Sequence, residues 1–168
     1  DLTELCLELG SHMLVLAKAA KDHEEGVEKL KALIASGKAF EKFKEFVTSQ
    51  GGDIKVIEQT DLLPSAKYSK RYLANSEGYI SELNALDIGL ASMKLGAGRE
   101  TQESIIDYGA GVLLANKIGD YVKKEDVLAT LYSNDETSFS KAIQYMDLAY
   151  KISETKPSEK PLILKTMV

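Results

Sequence analysis

The spacing of apolar residues changes once along this chain, near Pro64, and that change constrains the fold more than any other feature. Before it, apolar side chains recur at steps of three and four, which is the period of an amphipathic helix. From Tyr68 onward the step falls to near two, the period of a strand with one buried face. The pattern predicts an α+β chain whose two parts meet between Asp61 and Lys67.

Three helices and a short helical segment are predicted in the first part. The first is expected from about residue 2 to 20 and the second from Asp22 to Gly37, since glycine commonly ends a helix. The third ends at Gly51-Gly52-Asp53, and a short helical segment follows near 54–59. A carboxylate three residues after each N-cap completes a capping-box pattern in the first two helices, in the pairs Asp1 with Glu4 and Asp22 with Glu25.

Apolar stripes identify the faces of these helices. The first helix has one apolar face, and the second and third carry apolar side chains on one side each. In chain order these positions are Leu2, Leu5, Cys6, Leu9, Met13, Leu16, Ala17 and Ala20, then Val27, Leu30, Leu33 and Ile34, then Ala39, Phe40, Phe43, Phe46 and Val47.

Strands dominate the prediction after Tyr68. The segments Tyr68–Ala74 and Gly78–Leu83 flank a short polar loop, so they are expected to pair as a hairpin. Further strands are expected at Gly111–Leu114 and Val127–Tyr132, and a last one at Leu162–Val168.

Two helices are predicted among the strands. Asp87 is expected to cap a helix that stops at Gly96-Ala97-Gly98. A second, amphipathic helix is predicted from about Glu136 to Ser153, before Pro157 breaks the pattern. Its inward positions are expected to be Phe139, Ala142, Ile143, Met146 and Ala149.

Five runs together resemble the pyrimidine-nucleoside and thymidine phosphorylase family. They are Asp1 to Met13, Ser36 to Phe43 leading to Gln50–Asp53, Asp87-Ile88-Gly89, Leu95 to Arg99, and Ile118 to Val122. They occur in the family's order over nearly the whole chain. The resemblance implies that residues 1–63 are the helical tail of a large α/β lobe. It implies that residues 64–168 form a hammerhead-like, β-rich C-terminal domain.

An enzyme of this family is expected to split uridine or thymidine with inorganic phosphate, giving the free base and a ribose or deoxyribose 1-phosphate. The resemblance implies nucleoside salvage in the cytoplasm, with phosphate as co-substrate and no cofactor. It implies a homodimer formed through a lobe absent from this sequence, and a phosphate loop and base-reading residues upstream of Asp1. No catalytic, substrate-binding or metal-ligating residue is therefore predicted here, and the chain alone is expected to be an inactive scaffold. Helices that pack against the absent part should leave apolar surface exposed.

The local candidate for an anion site is Gly96-Ala97-Gly98-Arg99. Backbone amides and a guanidinium could hold a phosphate there. Two glycines at a helix end are also the ordinary stop signal, with Arg99 then forming a structural salt bridge. The second interpretation is favoured.

The thiol and the two imidazoles are predicted to be structural. Cys6 has no disulfide partner and sits at a helical core spacing, so it is expected to be packed in a reducing compartment. His12 and His23 lack further ligands at matched spacing, so no metal site is predicted from them. The acidic pairs Glu24-Glu25 and Glu77/Glu82 are expected to be exposed surface charge.

Charge and hydropathy exclude two classes of partner. The net charge is −5, from 26 acidic and 21 basic residues, and the lysines are interspersed with glutamates. This pattern is typical of a solvated surface, so no nucleic-acid partner is predicted. No apolar run approaches 18 residues, so no membrane partner is predicted.

Two alternative functions stay open. Gly78-Tyr79-Ile80 and Gly119-Asp120-Tyr121-Val122 are similar to pieces of biotinyl and lipoyl carrier domains, which would make this a non-catalytic binding or carrier module. Lys94 follows Met93, as in a modified carrier lysine, but it lies on a predicted helix and not at a hairpin. A related phosphorylase or phosphoribosyltransferase acting on another base is the other alternative.

Overall fold

A computed structural model describes residues 1–158 and 161–167 of the chain. Among these residues the chain forms two compact units, one holding residues 1–62 and 161–167 and the other holding residues 63–158. The first unit contains helices, and the second contains helices and two three-stranded antiparallel sheets. The α+β class predicted from the change of period is confirmed.

The helices of the first unit follow the predicted order. Their bounds are α1 Leu2–Leu16, α2 His23–Ala35, α3 Lys38–Ser49 and α4 Lys55–Glu58, with a 3₁₀ turn at Thr60–Leu62. Asp22 caps α2 as predicted, because its Oδ1 accepts from the Glu25 amide at 2.9 Å. Gly37 ends the same helix with a φ of +74°, a conformation that glycine adopts without strain. The first helix ends four residues earlier than predicted, before Lys18, whose φ is +57°.

Helices α1 and α2 approach closely where each carries a small residue. Ser11 is fully buried, and its hydroxyl donates to the Glu8 carbonyl oxygen at 2.7 Å. A Cβ placed on Gly26 would lie 2.9 Å from the Ser11 Cβ, so only glycine fits there without separating the helices. The buried side of α1 is therefore the Ser11 side.

The apolar stripe predicted for α1 is exposed. Only Ala20, which lies beyond the helix, is buried among the eight positions, and Leu16 is 83% exposed. The three phenylalanines of α3 are exposed as well. The expectation that helices of the first part leave apolar surface exposed is confirmed.

The second unit holds all six strands among the described residues. They are β1 Tyr68–Leu73, β2 Gly78–Leu83, β3 Gly111–Leu114, β4 Tyr121–Val122, β5 Val127–Ser133 and β6 Tyr150–Ser153. The sheets have the orders β1-β5-β3 and β4-β2-β6, and every pairing is antiparallel. Helices α5 Ala85–Ser92 and α6 Phe139–Ala149 complete the unit, with a π-helical turn at Met93–Ala97 and a 3₁₀ turn at Glu136–Ser138.

The predicted hairpin between β1 and β2 is wrong, although both strands exist. The two strands belong to different sheets, β1 pairing with β5 and β2 with β4 and β6. Gly78 starts β2 with a φ of +144°, and a Cβ there would lie 2.5 Å from the Ser153 carbonyl oxygen. This glycine lets β2 approach β6 instead of folding back on β1.

Three further predictions in this unit need correction. The helix expected to reach Ser153 ends at Ala149, and its last four predicted residues form β6, which pairs with β2. Asn84, not Asp87, caps α5, because its Oδ1 accepts from the Leu86 amide at 2.9 Å and the Asp87 amide at 3.3 Å. The strand expected at Leu162–Val168 is absent from 162–167, and Val168 lies outside the described residues.

The core of the second unit is built from strands of both sheets together with α5, the π-helical turn and α6. The inward face predicted for α6 is confirmed, with four of its residues buried and Ile143 partly buried against them. The buried apolar residues of this core are Ala74, Ile80, Ala91, Leu95, Val122, Leu128, Ala129, Leu131, Phe139, Ala142, Met146, Ala149 and Tyr150.

Candidate functional site

The Gly96–Arg99 segment, the anion candidate of the sequence, faces a carboxylate. Gly96 has a φ of +110°, and its carbonyl oxygen accepts from the Asp107 amide at 2.9 Å. The Asp107 carboxylate accepts from the Asn134 side-chain amide at 2.8 Å and from the Gly109 amide at 2.9 Å. The negative charge of this carboxylate beside Gly96 opposes binding of an anion there.

The structural salt bridge beside this segment uses a different cation from the one predicted. Lys94 pairs with Glu100 at 2.8 Å, and this hydrogen bond raises the pKa of the Lys94 ammonium and lowers that of the Glu100 carboxyl. Arg99 is exposed and makes no ion pair with the described residues. Lys94 lies in the π-helical turn after α5, which differs from the hairpin position of a carrier lysine.

A groove of about 600 Å³ in the second unit is lined by two hydrogen-bonded tyrosines. The Tyr72 hydroxyl donates to the Asp147 carboxylate at 2.8 Å, and the Tyr150 hydroxyl donates to the Leu128 carbonyl oxygen at 3.2 Å. The two rings lie 5.9 Å apart between centroids. Asn75, Ser76 and Lys151 add polar atoms to the lining.

Both phenols of this groove are held in their neutral form. Burial, together with the bond to Asp147, raises the pKa of Tyr72 far above its usual range. Burial raises the pKa of Tyr150 to about 12. Neither group is ionised near neutral pH, so each acts as a hydrogen-bond donor and not as a base. Their role in the fold is to tie β1 and β6 to α6 and β5.

Glu8, His12 and His23 come together between α1 and α2. The His12 Nε2 lies 3.2 Å from the Glu8 Oε1, and the His23 Nε2 lies 2.8 Å from the Glu8 Oε2. The two imidazole rings are 5.0 Å apart between centroids. All three side chains are half-buried, and one ligand atom of each lies within 4.8 Å of the others. The hydrogen bond to His23, followed by that to His12, lowers the pKa of the Glu8 carboxyl.

Sequence reasoning missed this cluster because only part of it is local. Glu8 and His12 are four residues apart, one helical turn, and that spacing could have indicated the pair. His23 belongs to the next helix, and nothing in the sequence fixes how that helix crosses α1. The three residues could therefore be grouped only from the structure.

The other candidates are surface groups. Cys6 is exposed, so the prediction that it packs in the core is wrong: the apolar stripe that contains it does not face α2. Glu24, Glu77 and Glu82 are exposed as expected. Glu25 is half-buried, and its carboxylate accepts from the Lys21 amide and from the Lys29 ammonium. In the part of the chain that the structure describes, no helix is long and apolar enough to cross a membrane.

Comparison with known proteins agrees with the resemblance drawn from the five runs. Residues 79–153 match the family profile of the pyrimidine nucleoside phosphorylase C-terminal domain. The chain is 51% identical over 136 residues to a pyrimidine-nucleoside phosphorylase of Staphylococcus haemolyticus (strain JCSC1435), covering 81% of this chain and 31% of that protein. It is 44% identical over 155 residues to the protein of the same name from Staphylococcus epidermidis, covering 92% of this chain and 34% of that protein.

A Staphylococcus aureus (strain USA300) protein of the same name is 51% identical over 134 residues, which is 80% of this chain and 31% of that protein. The chain thus spans about one third of the length of the curated relatives it matches. The matched profile describes their C-terminal domain and lies in the second unit. The chain therefore belongs to the pyrimidine-nucleoside phosphorylase family and carries its C-terminal portion.

Proposed function

We propose that this chain is the C-terminal framework of an enzyme that splits pyrimidine nucleosides with phosphate. The observation that carries the proposal is identity of 44–51% with proteins named pyrimidine-nucleoside phosphorylase. Phosphate attacks the nucleoside, the free base departs and a pentose 1-phosphate forms. In this proposal, residues 1–63 are the helical tail of the large lobe and residues 64–168 are the C-terminal domain.

The chemistry of the described residues supports a framework role. Phosphorolysis needs concentrated positive charge and backbone amides around the phosphate, and stabilisation of the departing base. Gly96 lies beside the Asp107 carboxylate, and the nearby Lys94 is neutralised by Glu100. The groove tyrosines are neutral donors held by Asp147 and Leu128. In this proposal, another part of the enzyme therefore supplies the phosphate site.

The exposed apolar side chains of the first unit support the same proposal. Soluble proteins seldom leave a contiguous apolar surface uncovered, and here α1 and α3 both expose theirs. In the complete enzyme, we expect the rest of the large lobe to pack against the exposed apolar faces of these helices. A homodimer formed through another lobe, a cytoplasmic location and phosphate as the only co-substrate complete the proposal.

A chimera tests the proposal directly. The matched C-terminal segment of the Staphylococcus haemolyticus relative is exchanged for this chain, and release of uracil from uridine is followed with and without phosphate. The chimera should turn over uridine or thymidine only when phosphate is present. The isolated chain should show no turnover, because the proposal assigns the phosphate site to another part of the enzyme.

Two results would overturn the proposal. One is a chimera that folds and is soluble but has no phosphorolytic activity toward uridine or thymidine. The other is clear phosphate-dependent turnover by the isolated chain. A purine nucleoside such as inosine is the matched control substrate, and it should be left intact in every arm.

A further inference from the structure

The cluster of Glu8, His12 and His23 presents three ligand atoms to one point between two helices. We propose that it binds one divalent transition-metal ion of the zinc type, joining α1 to α2. The inference is independent of the proposed catalytic framework. It rests on the chemistry and spacing of these three side chains and on the rigidity of the helix pair that carries them.

The spacing of the cluster is close to that of a zinc site. Zinc lies about 2.0–2.2 Å from imidazole nitrogen and carboxylate oxygen, so neighbouring ligand atoms of a tetrahedral site are about 3.4 Å apart. The two His–Glu8 contacts are 3.2 and 2.8 Å, and all ligand atoms lie within 4.8 Å. The two short contacts would lengthen by about 0.2 and 0.6 Å, and a pair at the 4.8 Å limit would close by about 1.4 Å, to admit the ion.

The helices that carry the ligands are fixed relative to each other. Glu8 and His12 lie one helical turn apart on α1, and the buried Ser11 lies between them in the sequence. Gly26 packs against Ser11, which holds α2 close to α1. His23 is the first residue of α2, directly after the Asp22 cap. The ligands therefore need little ordering when an ion binds, and less ordering favours affinity.

The donor set selects the kind of ion. Two imidazoles and one carboxylate suit zinc, cobalt, nickel and copper, whereas calcium and magnesium prefer oxygen ligands alone. The three side chains are half-buried, which leaves a side open to water for the remaining ligand position. Each imidazole must offer the lone pair of its Nε2, so any proton on that nitrogen moves to Nδ1 or to solvent when the ion binds.

The alternative is a metal-free hydrogen-bonded cluster, in which the Glu8 carboxylate only accepts hydrogen bonds from the two imidazoles. The chain makes this distinction easy to test, because these are its only 2 histidines. The exposed thiol of Cys6 could bind zinc independently of the cluster. The titration therefore uses the full chain carrying Cys6→Ala.

The test is calorimetric titration of zinc chloride into this chain. We expect one ion per chain, a melting temperature that rises with zinc concentration, and at least about tenfold weaker binding in each of Glu8→Gln, His12→Gln and His23→Gln. Glu24→Gln, which changes an exposed acid on the same helix as His23, should leave the affinity unchanged. Calcium and magnesium should give no shift.

Cobalt absorption on the Cys6→Ala chain keeps the test independent of whether the ligand variants fold. A four-coordinate cobalt ion gives a strong visible band, and zinc should remove it by competition. Absence of zinc binding and of the cobalt band would overturn the proposal. Unchanged zinc affinity in folded His12→Gln and His23→Gln proteins would also overturn it, and would support the metal-free hydrogen-bonded cluster.

Discussion

Among single residues, Glu8 couples the stability of the helix pair to pH. His23 and His12 lower the pKa of its carboxyl from the ordinary value of 4.5. The unfolded chain therefore binds the proton more tightly than the folded chain does. The stabilisation from Glu8 is fully present above pH 4.5 and is lost as the pH falls through the lowered folded value. The groups facing this carboxylate are the two imidazoles.

The pH prediction is tested with Glu8→Gln, which keeps the shape and removes the titration. Urea unfolding of parent and variant, without added metal, is compared between about pH 6 and pH 3. The parent should be the more stable protein at the upper end, and the difference should shrink toward the lower end. A difference that stays constant across this range would contradict the assignment.

Gly26 is the residue that sets the distance between α1 and α2. We expect Gly26→Ala to lower the free energy of unfolding by about 1–3 kcal/mol, because the new methyl group would overlap Ser11. Gly89→Ala is the matched control: it lies inside α5 with nothing within 4 Å of the added carbon. That change should stabilise by up to about 1 kcal/mol, since alanine favours helix. Equal losses in thermal unfolding would refute the close-contact argument.

Individual residues could be predicted when their role is local. The cap formed by Asp22 and the helix end at Gly37 follow from short patterns, and both are present. Cys6 could not be placed, because the apolar stripe that contains it does not show which side of α1 meets α2. The buried side is instead marked by a serine, which the hydrophobic pattern does not select.

At the scale of elements, the cap of α5 can be tested by mutation. Asn84 accepts two backbone amide bonds at the start of this helix, so Asn84→Ala should cost about 1 kcal/mol of unfolding free energy. Asp87 sits in the first turn without a capping role, and Asp87→Asn should cost only a few tenths of a kcal/mol through the helix dipole. Chemical denaturation of the two variants measures both. A larger loss for Asp87→Asn would make the aspartate the effective cap.

Strands were easier to predict than their partners. The bounds of β2 and β3 are those predicted, because alternation along a strand is a local signal. The partners depend on contacts far apart in the chain, such as β1 with β5 and β2 with β6. The short loop before Gly78 is typical of a hairpin, yet the backbone at this glycine directs β2 into the other sheet.

The boundary between α6 and β6 shows the same limit. Tyr150–Ser153 continues the apolar period of the helix, so the pattern alone extends it. In the folded chain Tyr150 leaves helical geometry, its ring enters the core and its hydroxyl bonds to the Leu128 carbonyl oxygen. Pairing with β2 then outweighs helix propensity for these four residues.

For the whole molecule, the fold class could be predicted because one change of period divides helices from strands. The first of the two compact units ends at Leu62, within the Asp61–Lys67 region where the sequence places the change. The five ordered runs were the only link that the sequence offered between this chain and the family, since no catalytic or substrate-binding residue was predicted in it. The cluster of Glu8, His12 and His23 could not be predicted from the sequence. Its three residues are present in the chain, but helix packing decides whether they come together.

The uncovered apolar side chains of α1 and α3 should make the isolated chain self-associate. Leu16 is 83% exposed and Phe46 is 58% exposed, and both lie among other exposed apolar residues of their helices. Burying one such side chain is worth about 1.5–3 kcal/mol, so the double change Leu16→Lys with Phe46→Lys should weaken association at least tenfold, roughly.

Leu148→Lys is the control, because this 63% exposed leucine is the one large apolar side chain of α6 that is exposed. Sedimentation velocity over a range of concentrations measures association, and circular dichroism shows that each variant is folded. A monomeric parent, or equal effects of the double variant and the control, would mean that these side chains do not drive association.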